Sequence, residues 1–410
     1  MPNADCRTSG VIRLAGRLLA ATCVLFAAGG GAMAGEKAVR IGVMADMAGF
    51  ASDVGGRGAV LAAEMAAADH GGRADGKPIE IIGGDMQNKP DVAAAMARRW
   101  FDVDQVNAIT DLPVSSVALA VQEVGRQMGK VLLISAGATV DLTGPACAPY
   151  STQWSDDTYS LAVATVKAIM AQGGKSWFFI TADFAFGHAM ERDATTFITA
   201  NGGKVLGSVR HPISSSDFSS YVLAAQASKA DVVAFANSGN DTINSIKQAG
   251  EFGLAAAGQR LAGFLVFIND VHGIGLAAAQ GLTITEGFYW DQNEATRSFA
   301  KRFFETMKKM PSKEQANTYL AVRHYLKAVD AAKTEDPATI TKTMREMPVD
   351  YFDQKAWIRE DGRVMHDLTL YEVKKPSESK YPWDYYKSLR TIPADEAFRP
   401  LSEGHCPFLK

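Results

Sequence analysis

Short apolar runs alternate with segments of helical spacing along most of this chain of 410 residues. Val39 to Met44 is the first run and Ile79 to Ile82 the next, and a helical segment from about Gly58 to His70 lies between them. Strands buried on both faces, as in parallel sheets, have this appearance, and the intervening helices cover the sheet. The alternation therefore predicts an α/β protein with doubly wound, mostly parallel sheets.

The same alternation starts again after the first third of the chain, which predicts a second lobe of similar build. Its predicted strands are Trp177 to Thr181, Lys204 to Val209, Asp231 to Phe235 and Leu261 to Val266. After Trp290 the pattern changes to two long helices, followed by short strands over Asp350 to Ile358 and Leu368 to Val373. The tail from Lys374 is rich in Pro, Tyr and Trp, and we expect these aromatic residues to form a packed wrap.

The first 34 residues have the features of a secretory signal. Arg7, Arg13 and Arg17 precede an apolar run of 11 residues, which is too short to span roughly 30 Å of hydrocarbon. This run, Leu18 to Ala28, is followed by Ala32-Met33-Ala34, which places small residues where a signal peptidase reads them. We therefore expect export and cleavage after Ala34.

Charge and cysteine content narrow the class of protein further. The net charge of −3 excludes the strong basic footprint of a nucleic-acid-binding protein. Cys147 and Cys406 remain after the predicted cleavage, and an even number of cysteines in an exported chain favours a disulfide. Cys147 lies in the loop-like stretch Gly144 to Pro149, which favours the disulfide over two free buried thiols.

Sequence motifs of catalysis are absent. The chain has no G-x-S-x-G, H-E-x-x-H, C-x-x-C or EF-hand spacing, and no pair of its seven histidines has metal-ligand spacing. Gly173 to Ser176 is similar to the end of a P-loop, but Ile169 occupies the position of the required first glycine. We expect no cofactor and no metal, and an exported hydrolase is a poor alternative because no nucleophile and base can be assigned.

Three loops follow predicted strands and should line the crevice at the carboxyl edge of the sheet. The first, Asp46 to Phe50, continues to Gly55-Gly56-Arg57-Gly58 at a helix start; the second is Asp111 to Ser116, and the third is Ser135 to Thr139. Hydroxyl and backbone N–H groups at helix starts and in small-residue loops bind carboxylates. Turn formation and N-capping would explain the same residues without a ligand.

In their order and spacing, these segments resemble the periplasmic solute-binding proteins of ABC importers, of the branched-chain amino-acid (leucine-binding) type. The resemblance covers essentially all of the chain after residue 34, and the chain also looks like a subgroup associated with uptake of aromatic carboxylates. The residues that carry it are Ile41-Gly42-Val43, Asp46-Met47-Ala48-Gly49, Gly55-Gly56, Ala62-Ala63-Glu64, Ser115-Ser116, Ile134 to Thr139 and Asp217-Phe218-Ser219.

The resemblance implies a type I binding protein, in which two lobes are joined by three hinge crossovers near Gln153, Glu286 and Asp350 and close on a ligand. Lobe one would comprise residues 35–153 and 287–350, and lobe two residues 154–286 and 351–410 with a C-terminal wrap. It implies a monomeric periplasmic receptor, not an enzyme, that delivers a small carboxylate to a membrane ABC permease. The alternative is a ligand-sensing regulatory module of the same fold.

The resemblance also implies which residues hold the carboxylate. The family's lobe-one serine matches Ser115 or Ser116, and its alanine-to-threonine loop matches Gly137, Ala138 and Thr139.

One position departs from the leucine-binding pattern. The lobe-two acidic residue that pairs with the ligand's ammonium group is replaced by Leu265. Either Asp241 takes that role or the ligand carries no ammonium group. We favour the second, because an unpaired ammonium in a closed, dry cleft is costly.

Several aromatic residues are candidates for lining the crevice, and one of them, Phe186, matches the family's lobe-two aromatic before a glycine. A planar acid held by hydroxyls at one end and by stacked rings at the other would suit them, although core packing is the alternative for each. The candidates are Phe50, Trp154, Tyr159, Phe184, Phe186 and Tyr319.

Overall fold

The computed structural model describes residues 37–409, so the predicted signal lies outside the described residues. The first part of the chain forms a six-stranded sheet in the order β2-β3-β1-β4-β5-β6, parallel except for the β2–β3 pair. Its elements are β1 (Val39–Ala45), α1 (Gly56–Asp69), β2 (Arg73–Ala74), β3 (Lys77–Asp85), α2 (Pro90–Asp102), β4 (Ala108–Asp111), α3 (Ser115–Met128), β5 (Val131–Ile134) and β6 (Ser151–Gln153).

A second parallel sheet, in the order β10-β9-β7-β8, forms the core of the next part of the chain. The elements are α4 (Thr158–Ala171), β7 (Ser176–Ala182), α5 (Ala185–Ala200), β8 (Lys204–His211), α6 (Ser219–Ala227), β9 (Val232–Ala236), α7 (Asn240–Glu251), β10 (Arg260–Gly263), α8 (Ile268–Ile274), α9 (Leu276–Ala279) and β11 (Thr283–Glu286). The two doubly wound sheets confirm the predicted α/β class.

The remaining elements follow β11 in the last part of the chain. They are α10 (Glu294–Met307), α11 (Lys313–Ala332), α12 (Pro337–Glu346), β12 (Val349–Tyr351), β13 (Gln354–Ile358), β14 (Val364–Met365), β15 (Leu368–Val373), β16 (Tyr386–Ile392) and α13 (Ala394–Ala397). Strands β12–β14 form one antiparallel sheet, and β11, β15 and β16 form another. The single strand predicted over Asp350 to Ile358 is a hairpin, because Phe352 and Asp353 turn the chain with φ of 51° and 64°.

The third crossover lies later than predicted. Val349, Tyr351 and Val364 pack into the lobe-one core with the helix α11, so Asp350 lies within lobe one instead of at a crossing. The chain leaves this core at His366-Asp367, between β14 and β15. The apolar side chains on the β12–β14 sheet cause the difference, since they bury themselves in the lobe that α11 has already joined.

The three crossovers run side by side. Gln153 at the end of β6 donates its backbone N–H to the Gly362 carbonyl at 2.9 Å, and Arg363 Nη1 lies 3.3 Å from Asp157 Oδ2. In the second crossover, the N–H of Gly287 donates to Asp156 Oδ2 at 3.1 Å. Polar contacts of buried residues therefore bind the crossovers to one another.

The tail packs on the second lobe and then returns to the first. Phe398 packs in a small apolar cluster with Leu370 and Ile392, and the chain then continues to Cys406. Cys406 forms a disulfide with Cys147, with 5.6 Å between the two Cα atoms. Between residues 37 and 409, no helix combines the length and apolar character that a membrane span requires.

Candidate functional site

The order of each parallel sheet reverses at one point, and these two points face each other. In the first sheet β1 lies between β3 and β4, and in the second β7 lies between β8 and β9. Loops that follow the strands at such a point open a crevice where ligands bind in doubly wound folds. The space between these loops of the two lobes is called the interlobe cleft below.

Phe50, in the loop after β1, is the centre of contact across this cleft. Its ring packs edge-to-face on Phe184, after β7, with 6.2 Å between ring centroids. Its carbonyl oxygen accepts a hydrogen bond from the N–H of Asn240, at the start of α7, at 3.3 Å. Phe186 is buried next to Phe184, at 6.0 Å. The structure therefore brings together the predicted residues Phe50, Phe184 and Phe186.

Gly239 permits this close approach of the lobes. It has φ of 59°, and a Cβ atom built on it would lie 2.4 Å from the Phe50 carbonyl oxygen. A side chain at this position would clash with the opposite lobe's backbone. A second contact across the cleft is made by Asn269 Nδ2, which donates to the Asp53 carbonyl at 2.7 Å.

The two predicted carboxylate loops are neighbours in the structure. The N–H of Thr139 donates to Ser115 Oγ at 3.2 Å, and Thr139 Oγ1 accepts the N–H of Asp141 at 3.3 Å. Ser116, the second residue of α3, is partly exposed. Helix α3 follows Val114, which provides no side-chain cap, so the helix start keeps unbound N–H groups.

The loop Gly137 to Thr139 directs its carbonyl groups away from these N–H groups. Gln153 Nε2 donates to the Gly137 and Thr139 carbonyls at 2.8 and 3.0 Å, and the N–H of Thr158 donates to the Ala138 carbonyl at 2.8 Å. Within residues 37–409, no acceptor binds the backbone N–H of Gly137 or Ala138. The buried loop thus offers two free donors, which is the arrangement that an anion requires.

Two predicted aromatic residues lie elsewhere, and a third packs within lobe two. Trp154 and Tyr319 are in the lobe-one core: Trp154 Nε1 donates to Thr152 Oγ1 at 2.9 Å, and Tyr319 donates its hydroxyl to Asp69 at 2.7 Å. Tyr159 packs on Phe197 of α5 at 4.9 Å. The positions of Trp154 and Tyr319 in the lobe-one core differ from their predicted placement in the crevice, because packing within the lobe buries their rings, whereas the role of Tyr159 stays a prediction.

Asp241 and Leu265 lie on the lobe-two side. Asp241 Oδ2 accepts the N–H of Ser214 at 3.0 Å, and burial raises the pKa of Asp241 to about 6. Leu265 follows β10 and packs among apolar side chains. The structure leaves the predicted role of Asp241 open, because only one of its two carboxylate oxygens has a partner among the described residues.

A group of buried charges at the crossovers was not predicted. Lys313, the first residue of α11, lies 2.9 Å from Asp156 and 3.6 Å from Glu286, and it is fully buried with both. Burial tends to raise the pKa of Asp156, but Lys313 outweighs it and the pKa is lowered. Burial raises the pKa of Glu286 to about 8. Asp156 follows the end of β6, Glu286 is the last residue of β11, and Lys313 is the first residue of α11. These positions are the only sequence signal that marks the three residues.

Asp270, in the first turn of α8, gives a pH-dependent contribution to stability. Its Oδ2 accepts the N–H of Phe267 at 3.0 Å, and burial raises its pKa to about 8. The folded protein therefore holds a proton that the unfolded chain loses near pH 4, so stability falls as the pH rises from about 4 to 8. We expect Asp270→Asn, which keeps the acceptor, to raise the free energy of unfolding at pH 8 by about 1 kcal/mol or more.

Urea unfolding of wild type and Asp270→Asn at pH 5 and pH 8 measures this effect. The gain should be larger at pH 8 than at pH 5, whereas an equal gain at both pH values would contradict it.

The arrangement matches known proteins. A family model described as periplasmic binding protein matches residues 38–380. A periplasmic binding protein from Burkholderia mallei is 47% identical, and its structure superposes with a TM-score of 0.89 over 91% of this chain and 99% of that chain.

Two more distant proteins carry information on ligands in their names. Leu/Ile/Val-binding protein homolog 6 of Brucella melitensis is 25% identical over 220 residues, which is 53% of this chain and 56% of that protein, so the match spans about half of the relative's length. A solute-binding protein of an ABC transporter from R. palustris, solved in complex with benzoate, shares the fold at 20% identity, with a TM-score of 0.79 over 88% of this chain and 99% of that chain.

Proposed function

Because the chain belongs to the periplasmic binding protein family, we propose that it is the receptor of an ABC importer and captures a small carboxylate in the periplasm for a membrane permease. The contact of the two switch-point loops at Phe50 supports this function most directly, because ligands of doubly wound folds bind at switch points and two-lobed receptors close there. The protein releases its ligand chemically unchanged.

The carboxylate is held by the two lobe-one loops. Only hydrogen-bond donors contact the anion in this arrangement. They are the free N–H groups of Gly137 and Ala138 and the hydroxyls of Ser115, Ser116 and Thr139. The rest of the ligand is an aromatic acid or a branched-chain or aromatic amino acid. The names of the two distant relatives support these classes, and so do the rings of Phe50, Phe184 and Phe186.

A thermal-shift screen over aliphatic amino acids and aromatic acids tests the function. A ligand present at 100 times its Kd should add about 2.7 kcal/mol to the free energy of unfolding. Mass spectrometry of the bound compound should return the compound that was added. Failure of every small carboxylate to raise the melting temperature would contradict the proposed function.

Removing the hydroxyls should weaken binding of the ligand found in that screen. We expect Thr139→Val and Ser116→Ala each to lower affinity at least tenfold, because each removes a group that donates to the carboxylate. Isothermal titration calorimetry measures the change. Thr165→Val is the matched control, because Thr165 is buried in α4 and its hydroxyl has no partner among the described residues. Wild-type affinity in both variants would place the carboxylate elsewhere.

A further inference from the structure

Two buried carboxylates on the lobe-one side of the cleft have no hydrogen-bond partner among the described residues. Asp111 and Glu314 are at most 1% exposed. None of their four carboxylate oxygens has a hydrogen-bond partner among residues 37–409. Removing a carboxylate from water without giving it a partner is strongly unfavourable, so side chains of this kind are kept for a reason other than packing.

Asp111 lies at the switch point of the first sheet. It is the last residue of β4 and pairs with Met44 of β1. It also faces the start of α1, since a Cβ atom built on Gly55 would lie 3.0 Å from Asp111 Oδ2. Its side chain is therefore at the carboxyl edge where the loops after β1 and β4 border the cleft.

Glu314 approaches the same edge from α11. Thr318, one turn further along α11, has its Oγ1 2.7 Å from Ser135 Oγ, and Ser135 Oγ accepts the N–H of Asp111 at 3.1 Å. Glu314 shares a helix face with Thr318 and lies one turn nearer the start of α11. Burial is the main reason why the pKa of Glu314 is raised, and the charge of Asp111 raises it further.

The nearest buried cation, Lys313, lowers the pKa of Glu314 but makes its ion pairs with other carboxylates. Lys313 lies against Asp156 and Glu286, and its Nζ also donates to the Thr285 carbonyl at 3.2 Å. The described residues contain no set of three His, Cys, Asp or Glu side chains arranged for a metal ion. The four free oxygens therefore lack a partner that has several N–H donors and one positive charge.

We propose that Asp111 and Glu314 bind a protonated amino group of the ligand, so that the ligand is an amino carboxylate. This inference rests on the proposed function and narrows it. The ligand's anionic end contacts the N–H groups of Gly137 and Ala138, and its cationic end contacts the carboxylates at β4 and α11. The role that Leu265 cannot perform from lobe two is thereby taken by lobe one, and the earlier preference for a ligand without an ammonium group is reversed.

Binding should release protons. Burial raises the pKa of both Asp111 and Glu314, and nearby carboxylates add to the rise: Asp46 at Asp111, and Asp156 and Glu286 at Glu314. Lys313 opposes it at Glu314, but the pKa of both groups stays well above the ordinary range, which favours their neutral form when no ligand is bound. An ammonium group favours their ionised form, and at least part of a proton passes to the solvent. Calorimetry in two buffers of different ionisation enthalpy measures this release.

Matched ligand pairs test the inference. The pairs are leucine with 4-methylpentanoate and 4-(aminomethyl)benzoate with 4-methylbenzoate, each differing in the amino group. In the wild type we expect an amino compound to bind at least tenfold more tightly than its amine-free partner. In Asp111→Asn and Glu314→Gln that preference should fall below threefold, with the melting temperature unchanged or raised. Glu305→Gln, on the exposed face of α10, is the control and should keep the wild-type preference.

The outcomes separate the inference from the proposed function. If an amine-free acid binds as tightly as its amino partner, or if both variants retain the tenfold preference, the inference is wrong while the proposed function stands. If no member of either pair and no other small carboxylate binds the wild type, the proposed function fails, and the inference fails with it.

Discussion

Replacing Lys313 by methionine should lower the free energy of unfolding by about 3–5 kcal/mol. The ammonium group is fully buried and lies 2.9 Å from Asp156 and 3.6 Å from Glu286. Methionine fills the space but leaves the Asp156 charge without its closest partner in an apolar setting. Urea unfolding at pH 7.5, followed by tryptophan fluorescence, measures the loss.

An exposed lysine provides the matched control for Lys313. Lys309 Nζ pairs with Asp53 at 2.8 Å on the surface, so Lys309→Met should cost less than about 1 kcal/mol. Adding Asp156→Asn to Lys313→Met should recover part of the lost stability, since the uncompensated charge is removed. A Lys313→Met variant within 1 kcal/mol of the wild type would show that the buried charges at the crossovers are not coupled in this way.

Gly239→Ala should weaken ligand binding by at least tenfold, because the added methyl group prevents the lobes from closing. The new Cβ would lie 2.4 Å from the Phe50 carbonyl oxygen, which belongs to the opposite lobe's backbone and cannot rotate away. Calorimetry with the ligand from the screen measures the affinity. Small-angle X-ray scattering should show that ligand reduces the radius of gyration of the wild type but not of the variant.

The positive φ of Gly239 adds a cost that is separate from closure, and a second glycine isolates it. Gly253, in the same lobe, has φ of 70°, but a Cβ atom there would meet its nearest neighbour, the Ala256 Cβ, at 4.0 Å. Gly253→Ala should therefore lose about 1 kcal/mol of stability and keep full affinity. Equal affinity in Gly239→Ala and Gly253→Ala would show that the Gly239–Phe50 contact does not control binding.

The fold could be predicted from the sequence because each buried parallel strand is a short apolar run between helices. The predicted strand Val39 to Met44 lies within β1, and Leu368 to Val373 coincides with β15. The tail was predicted only as a wrap, because β16 is largely exposed and its side chains carry little apolar alternation. Its pairing with β15 depends on the neighbouring strand and not on its own sequence.

Only those site residues that follow the ends of predicted strands could be predicted from the sequence. The position of Phe50 after β1 was sufficient to place it at the cleft. Trp154 lies near a predicted crossover and Tyr319 lies on a long helix. Only the packing shows that their rings belong to a core. Asp111 lies in a loop that the sequence predicts to line the crevice, but the sequence does not show that its carboxylate lacks a hydrogen-bond partner. Burial and pairing are tertiary properties, and they distinguish the carboxylate of Asp111 from an ordinary one.

The disulfide limits how far the lobes can separate. Phe398 packs with Leu370 and Ile392 of the β15–β16 pair and on His366 at the third crossover, whereas Cys406 is bonded to Cys147 beside the first sheet. The segment 398–406 is thus a fourth connection between the lobes, and the disulfide anchors it covalently. Fully extended, this segment reaches at most roughly 30 Å. The lobes should then open on the side away from this segment. Reduction of the disulfide would allow a larger opening with a less defined direction. In an oxidising compartment the protein would therefore have one defined open shape.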